Sequence, residues 1–536
     1  MTNRTRFLTL GILFGAAFTA AAQHRDSAGK EKPVVLEPGL GTWRHPIATG
    51  NPEAQKFFDQ GLILMYGFNR YEALRSFRKA VELDPQAAMA YWGIAMSLGP
   101  YINMDLDPEV NIKESCDAVA AGLRVAAAPA DRAWLEAAGA RCPDFSKPAD
   151  YIRAMRELAA KLPDDADAQT LYADALLLPS RWKWYTNDGQ PAEGVLEAER
   201  VLEQVLRRHP DHPGANHLLI HAAESSPTPE LAVPSAQRLM GIVPSAGHIV
   251  HMPGHIWLAL GDYENTVAVN ERAVEVDREY FARTGVKSGY GMYYLHNLQF
   301  IVYTRGMQGR AAETRKAAAD FSEAVAEVVG AMPEMADLFQ LWLAFAKLRA
   351  GLWDDVLSAR QPEPAPASLA AWHAARALAF AGKGQLVQSK AEQADLETVR
   401  KNLDTQLLWG NNRLSDVMEL ASAVIAARVA PSPAESLPSW KRAVDLADAL
   451  VYDEPPGWYY PVRESLGAAL LLAGHAEEAE ATFREGLRRS PRNGRMLFGL
   501  FESLKAQKKT EAARWVEQEF DRAWAGADIN LKLEDL

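Results

Sequence analysis

The chain has 536 residues, 57 Lys+Arg against 69 Asp+Glu, a net charge of −12 and 48% hydrophobic residues. Such a composition excludes global disorder, and the acidic balance leaves no surface to neutralise a run of phosphates, so no nucleic acid is expected as a partner. Its two cysteines, Cys116 and Cys142, are too few for a disulfide scaffold or a four-thiolate zinc site.

Residues 1–22 read as a signal peptide. Arg4 and Arg6 precede an apolar stretch from Phe7 to Phe18, and Ala20-Ala21-Ala22 supplies the small residues of a cleavage site before Gln23. The expected location is therefore periplasmic or secreted. No later segment offers the roughly 18 consecutive apolar residues of a membrane span, so no transmembrane segment is expected after cleavage. In an oxidising compartment Cys116 and Cys142 can pair, although the sequence does not place them near each other. Residues 23–50 are polar, contain several prolines and glycines, and form a linker or N-terminal arm.

From residue 51 the pattern becomes helical and repetitive. In GLILMYGFNRYEALRSFRKAVELDP, Gly61, Ala73, Phe77, Ala80 and Pro85 fall at small, aromatic and helix-stopping places, and Leu466, Gly467, Ala479, Phe483 and Pro491 repeat the spacing near the other end. On these residues the chain resembles a tetratricopeptide repeat (TPR) protein, an exported bacterial subfamily with a histidine-rich motif in its middle repeats. The resemblance implies an all-α fold, an α-solenoid of antiparallel helix pairs. Ala198, Leu202 and Pro210 fit one second helix, and Ala232, Ala236 and Pro244 the next. The expected divisions are N-terminal repeats over 51–178, central repeats over 179–330 and C-terminal repeats over 331–536. Insertions are expected after residues 99, 179 and 280, with proline-rich turns at 361–366 and 430–438.

The histidines are the unusual feature. His217 and His221 stand four apart in HLLIHAAE, with Glu224 following, and His251 and His255 stand four apart in HIVHMPGH, with His248 just before. Both offsets between the pairs equal one repeat of about 34 residues. The i and i+4 positions share one helix face, so four imidazoles can meet across two neighbouring helices. The resemblance implies that these places face the concave groove. His296, in YYLHNLQF, reaches a comparable place in the third unit if the insertion after Tyr280 loops out. Pro253 and Gly254 lie inside the second pair, so that helix must kink or begin late.

Imidazole suits zinc, copper and iron, and the six histidines are enough for one ion or a dinuclear site, with Glu224 as ligand or general base. The chain would then be a metal-binding protein, a carrier or a metalloenzyme of oxidative or hydrolytic type acting on a small-molecule substrate. The other reading of the same residues is a non-catalytic scaffold whose polar groove binds a peptide or protein partner. His24, His45, His373 and His475 read as isolated surface or core residues, and His209 and His212 as turn residues. Trp182, Trp184 and Tyr185, then Tyr290, Tyr293 and Tyr294, either lid the groove or pack between repeats, and Gly457 to Pro461 allows the same two readings. The chain has no phosphate loop, dinucleotide fingerprint, haem-attachment motif or nucleophile elbow.

Overall fold

The computed structural model describes residues 32–103, 108–285, 290–330 and 332–536, and the expected signal peptide lies outside these. Local chemistry defines the first helix pair. Asn51 caps the helix Pro52–Tyr66 by accepting from the amides of Glu53 and Ala54, and Asn69 caps Arg70–Leu83 by accepting from Glu72. Phe77, on the second helix, is fully buried. Its ring lies so close to Gly61 and Gly93 that a Cβ there would come within 2.8 and 2.3 Å of it. The aromatic wedge therefore requires glycine on the helices before and after it. Phe483 repeats this against Gly467 and Gly499, where a Cβ would come within 2.6 and 2.1 Å.

The protein is an α-solenoid-type, all-α chain. Among the described residues the only named strands are the short antiparallel pair Leu408–Trp409 and Asn412–Arg413. No helix of the described residues is long and apolar enough to cross a membrane. The proline-rich stretch 430–438 differs from the expected turn. A helix already starts at Pro433, capped by Ser432, and carries Pro438 inside it. Residues 361–365 do form a break, and Pro366 opens the next helix at its first position, where its missing N–H is not needed.

The described residues divide into two compact units, 32–256 with 269–294 and 257–268 with 295–536. In the first, the arm is held down rather than loose. Gln60 accepts from the Glu37 amide and donates to the Val35 carbonyl, and Gln55 bonds the backbone of Ile47 and His45. Cys116, on the helix Pro108–Val125, is joined by a disulfide to Cys142, with their Cα atoms 5.8 Å apart. The second unit is built around a large apolar core and a buried ion pair. Both Glu464 oxygens meet the Arg349 guanidinium at 2.5 and 2.7 Å, and Asn493 donates to the same carboxylate at 2.8 Å.

Candidate metal centre

Five of the singled-out histidines and Glu224 belong to the first unit, and all six are buried, at 3% exposure or less. His217, His221 and Glu224 lie on the helix Pro213–Glu224. The second set meets the break that Pro253 demands. Gly247–His251 and Pro253–Ala259 are separate short helices with Met252 between them, bridged by the Met252 amide to the His248 carbonyl. The turn preserves the relation it interrupts, because the Nε2 atoms of His251 and His255 still face each other at 2.6 Å.

Each imidazole of the two pairs has an oxygen near Nδ1. His217 Nδ1 donates to the Tyr66 carbonyl at 2.6 Å, and His251 Nδ1 meets Asn270 Oδ1 at 2.7 Å. His221 Nδ1 lies 3.1 Å from Glu224 Oε1, and His255 Nδ1 lies 2.9 Å from Glu224 Oε2. The Glu224 carboxylate therefore lies between the two pairs, hydrogen-bonded to His221 and facing His255 Nδ1 without a hydrogen bond. With Nδ1 carrying the proton in His217, His221 and His251, each of these rings, when neutral, has its lone pair on Nε2. The Nε2 atoms of His217 and His221 face each other at 3.1 Å. Two lone pairs at such distances repel unless a proton or a cation lies between them.

His248 completes one group: its ligand nitrogen lies within 4.8 Å of those of His217 and His221. Its ring packs 4.4 Å from Tyr293, and its amide donates to the Tyr290 hydroxyl. His296 belongs to the second unit, on the helix Gly291–Met307, where it is buried with its ring 4.9 Å from Phe300.

Burial governs the charge state of the nest. It lowers His217 far below the usual imidazole range, His221 to about 3 and His251 to about 4. It also pushes the Glu224 carboxyl well up. The walls are aromatic. Phe68 lies 4.4 Å from His217, 5.7 Å from His221 and 5.3 Å from His248, and Trp182 and Trp184 lie 6.2 and 6.0 Å from His221. Phe68 and Trp182 both have positive φ, 58° and 59°, a conformation that bulky side chains rarely adopt.

The expectation that these histidines face an open groove is not what the structure has; they are interior. His45, read as a surface or core residue, and His212, read as a turn residue and lying in the turn before Pro213, share a partner that the sequence did not reveal. His45 Nδ1, His212 Nε2, the Tyr66 hydroxyl and Trp43 Nε1 all converge on the buried carboxylate of Asp167, at 2.9, 3.2, 2.6 and 3.1 Å. Burial would raise Asp167, but the bonds from His212 and His45 outweigh it and hold the carboxyl far below its usual range. His212 Nδ1 in turn accepts from the Ala215 amide, capping the helix that carries His217 and His221. Asp167 thus braces that helix and also Tyr66, whose carbonyl orients His217. The sequence signal was His212 directly before Pro213, a capping residue ahead of an N1 proline.

No protein-family model and no curated protein matches the chain. Among solved structures it is similar to yeast Tom70, at 14% identity over 87% of this chain and 96% of that one, with a TM-score of 0.36. It is also similar to the human IFIT1 dimer with m7Gppp-AAAA, at 11% identity over 89% and 92% with a TM-score of 0.34. A third is Cut9 in the APC/C hetero-tetramer Cut9-Hcn1, at 12% over 90% and 74% with a TM-score of 0.30.

Proposed function

We propose that the histidine nest binds transition-metal ions, zinc, copper or iron, through inward-facing Nε2 atoms. The observation that carries this is the pairing of Nε2 atoms at 3.1 and 2.6 Å while the Nδ1 atoms of His217, His221 and His251 are held by oxygens and that of His255 lies 2.9 Å from one. Two nitrogens bound to one ion at about 2.0–2.1 Å, with an angle near 90–110°, lie about 2.9–3.4 Å apart. The His217–His221 pair already has that span, and the His251–His255 pair needs to open by only a few tenths of an ångström. His248 is the third ligand at the first pair. Oxygen partners behind the ligating imidazoles are the arrangement that fixes tautomer and orientation at metal centres.

Glu224 takes a different role from the ligand or base first expected. Its Oε1 bonds His221 Nδ1 and its Oε2 lies 2.9 Å from His255 Nδ1, so it is placed to position both rings. Burial alone favours its protonated form, which would leave one of the two rings without an acceptor. A cation among the imidazoles pulls the carboxyl back down and leaves both oxygens free to accept. The imidazoles and one carboxylate, buried against Phe68, Trp182, Trp184 and Tyr293, form a site in which that attraction is strong. Export to an oxidising compartment fits the Cys116–Cys142 disulfide. The peptide-groove alternative needs these imidazoles accessible, and their burial weighs against it.

The test is elemental analysis of protein purified without a His-tag or chelator, beside the His217→Ala/His255→Ala double variant. Near-stoichiometric zinc, copper or iron that disappears in the variant is the expected result. Absence of metal after reconstitution with each ion would refute the proposal.

A further inference from the structure

A second polar cluster in the same unit is not used by the histidines. Arg141 is 5% exposed, and its Nε, Nη1 and Nη2 have no hydrogen-bond partner. Its guanidinium carbon lies over the Tyr151 ring, 3.7 Å from the centroid, and the fork is so close to Gly99 that a Cβ there would stand 2.3 Å from Nη1. The fork is therefore fixed in direction by a ring on its face and a glycine at one edge. Arg70 is near: it donates to the Met96 carbonyl, stacks 4.4 Å over Tyr101, and leaves Nε unmatched. Asp174 is buried in the field of both arginines but makes no ion pair with either at hydrogen-bonding distance. Two guanidinium charges thus stand against one carboxylate.

A buried guanidinium with unmet donors is costly, and cations in protein interiors are ordinarily paired. Its planar fork matches two coplanar oxygens, as in a carboxylate. The place is also informative. The Tyr101 ring lies 4.9 Å from Phe68, whose ring packs on His217, and the Tyr101 hydroxyl lies 3.3 Å from that of Tyr293, whose ring packs on His248. The rings of Tyr101 and Phe68 lie between Arg70 and the histidines.

We infer that Arg141, with Arg70 beside it, is the anion subsite of the same centre and takes the carboxylate of a small organic acid. The reach of that acid toward the histidines rests on the metal reading, whereas capture of its carboxylate does not. No carboxylate among the described residues pairs with the Arg141 fork, and the ligand does so in a bidentate manner.

The experiment is calorimetric titration of acetate and succinate, with inorganic phosphate and chloride as separate arms at constant ionic strength. It uses the protein as purified, the chelator-treated protein, and the variants Arg141→Met and Arg141→Lys. The expected result is that at least one carboxylate binds the protein before and after chelation. Binding should weaken tenfold or more in both variants, because an ammonium keeps the charge but loses the fork. Removal of an unmatched buried charge should leave ligand-free Arg141→Met with a Tm at or above that of the parent, which also checks that the variant folds. Gly99→Ala, which crowds the fork without altering its charge, should weaken binding as well. Absence of carboxylate binding, binding unaltered by Arg141→Met, or binding confined to chloride or phosphate would each overturn the inference. Loss of binding on chelation with no effect of Arg141→Met would assign the carboxylate to the metal instead. The metal reading is judged separately, by the elemental analysis.

Discussion

Glu224 carries the sharpest consequence of the proposed site, because its carboxylate faces the Nδ1 atoms of two rings. Glu224→Gln keeps the size and one acceptor but replaces the other oxygen with a donor, so either His221 or His255 must turn its lone pair outward. Metal affinity should fall about 10- to 100-fold while the helical signal in circular dichroism is unchanged, the usual cost of removing such a partner. Equal affinity in a competition titration would show that Glu224 does not orient the ligands. The same burial sets a pH dependence. In metal-free protein His221 titrates at about 3, whereas in the unfolded chain it gains its proton near 6.5. Below 6.5 the unfolded state therefore binds more protons, and stability falls as pH drops from 6.5 toward 3. Other groups also titrate there, so the comparison is with His221→Gln under chelation. The difference in unfolding free energy should shift toward the variant by about 1.4 kcal/mol per pH unit below 6.5. A difference that stays flat between pH 7 and 5 would mean that His221 is accessible to protons when folded.

At the scale of elements, the glycines facing Phe77 and Phe483 show what the repeat pattern encodes and what it omits. Gly61 and Gly467 were legible because the small residue and the aromatic recur at fixed spacing. Gly93 and Gly499, the opposite jaws of each wedge, were not, because they belong to the following helix and only packing reveals them. In a helix Gly→Ala ordinarily stabilises by about 0.5–1 kcal/mol. Gly241→Ala, exposed and with nothing within 4 Å of the new Cβ, should do so. Gly93→Ala should instead destabilise by about 1–3 kcal/mol, since the methyl meets a fully buried ring. Denaturant unfolding of the pair checks both signs at once. The histidine pairs were legible for a similar reason, as spacing on a helix face. Their tautomers were not, because the Tyr66 carbonyl and Asn270 approach from distant sequence. Nor did the pattern reveal the left-handed Phe68 and Trp182, whose conformation is a property of the turn and not of the residue type.

Over the whole chain, the α-solenoid class could be read because Phe77 and Phe483 mark helix pairs at both ends, while the depth of the histidines could not. Repeat places that face a groove in a bare solenoid are interior here. Phe68, the segment bearing Trp182 and Trp184, and Tyr293 pack against the imidazoles, and Asp167 ties the arm residues Trp43 and His45 to the helix they brace. On the proposed metal reading, such a buried nest would couple binding to folding, since the unfolded chain holds no comparable set of aligned nitrogens. Free metal at 100 times its dissociation constant should raise unfolding free energy by about 2.7 kcal/mol, and His217→Ala should remove most of that gain. The disulfide adds a term that metal does not touch. Cys116 and Cys142 are 26 residues apart, and closing a loop of that size contributes about 3.5 kcal/mol in the chain-entropy account. Cys116→Ser/Cys142→Ser should therefore lower the stability of metal-free and metal-loaded protein by the same amount, with the metal increment intact. If the double serine variant also lost the metal increment, the disulfide would be holding the histidine nest in shape, and the two contributions could no longer be treated as additive.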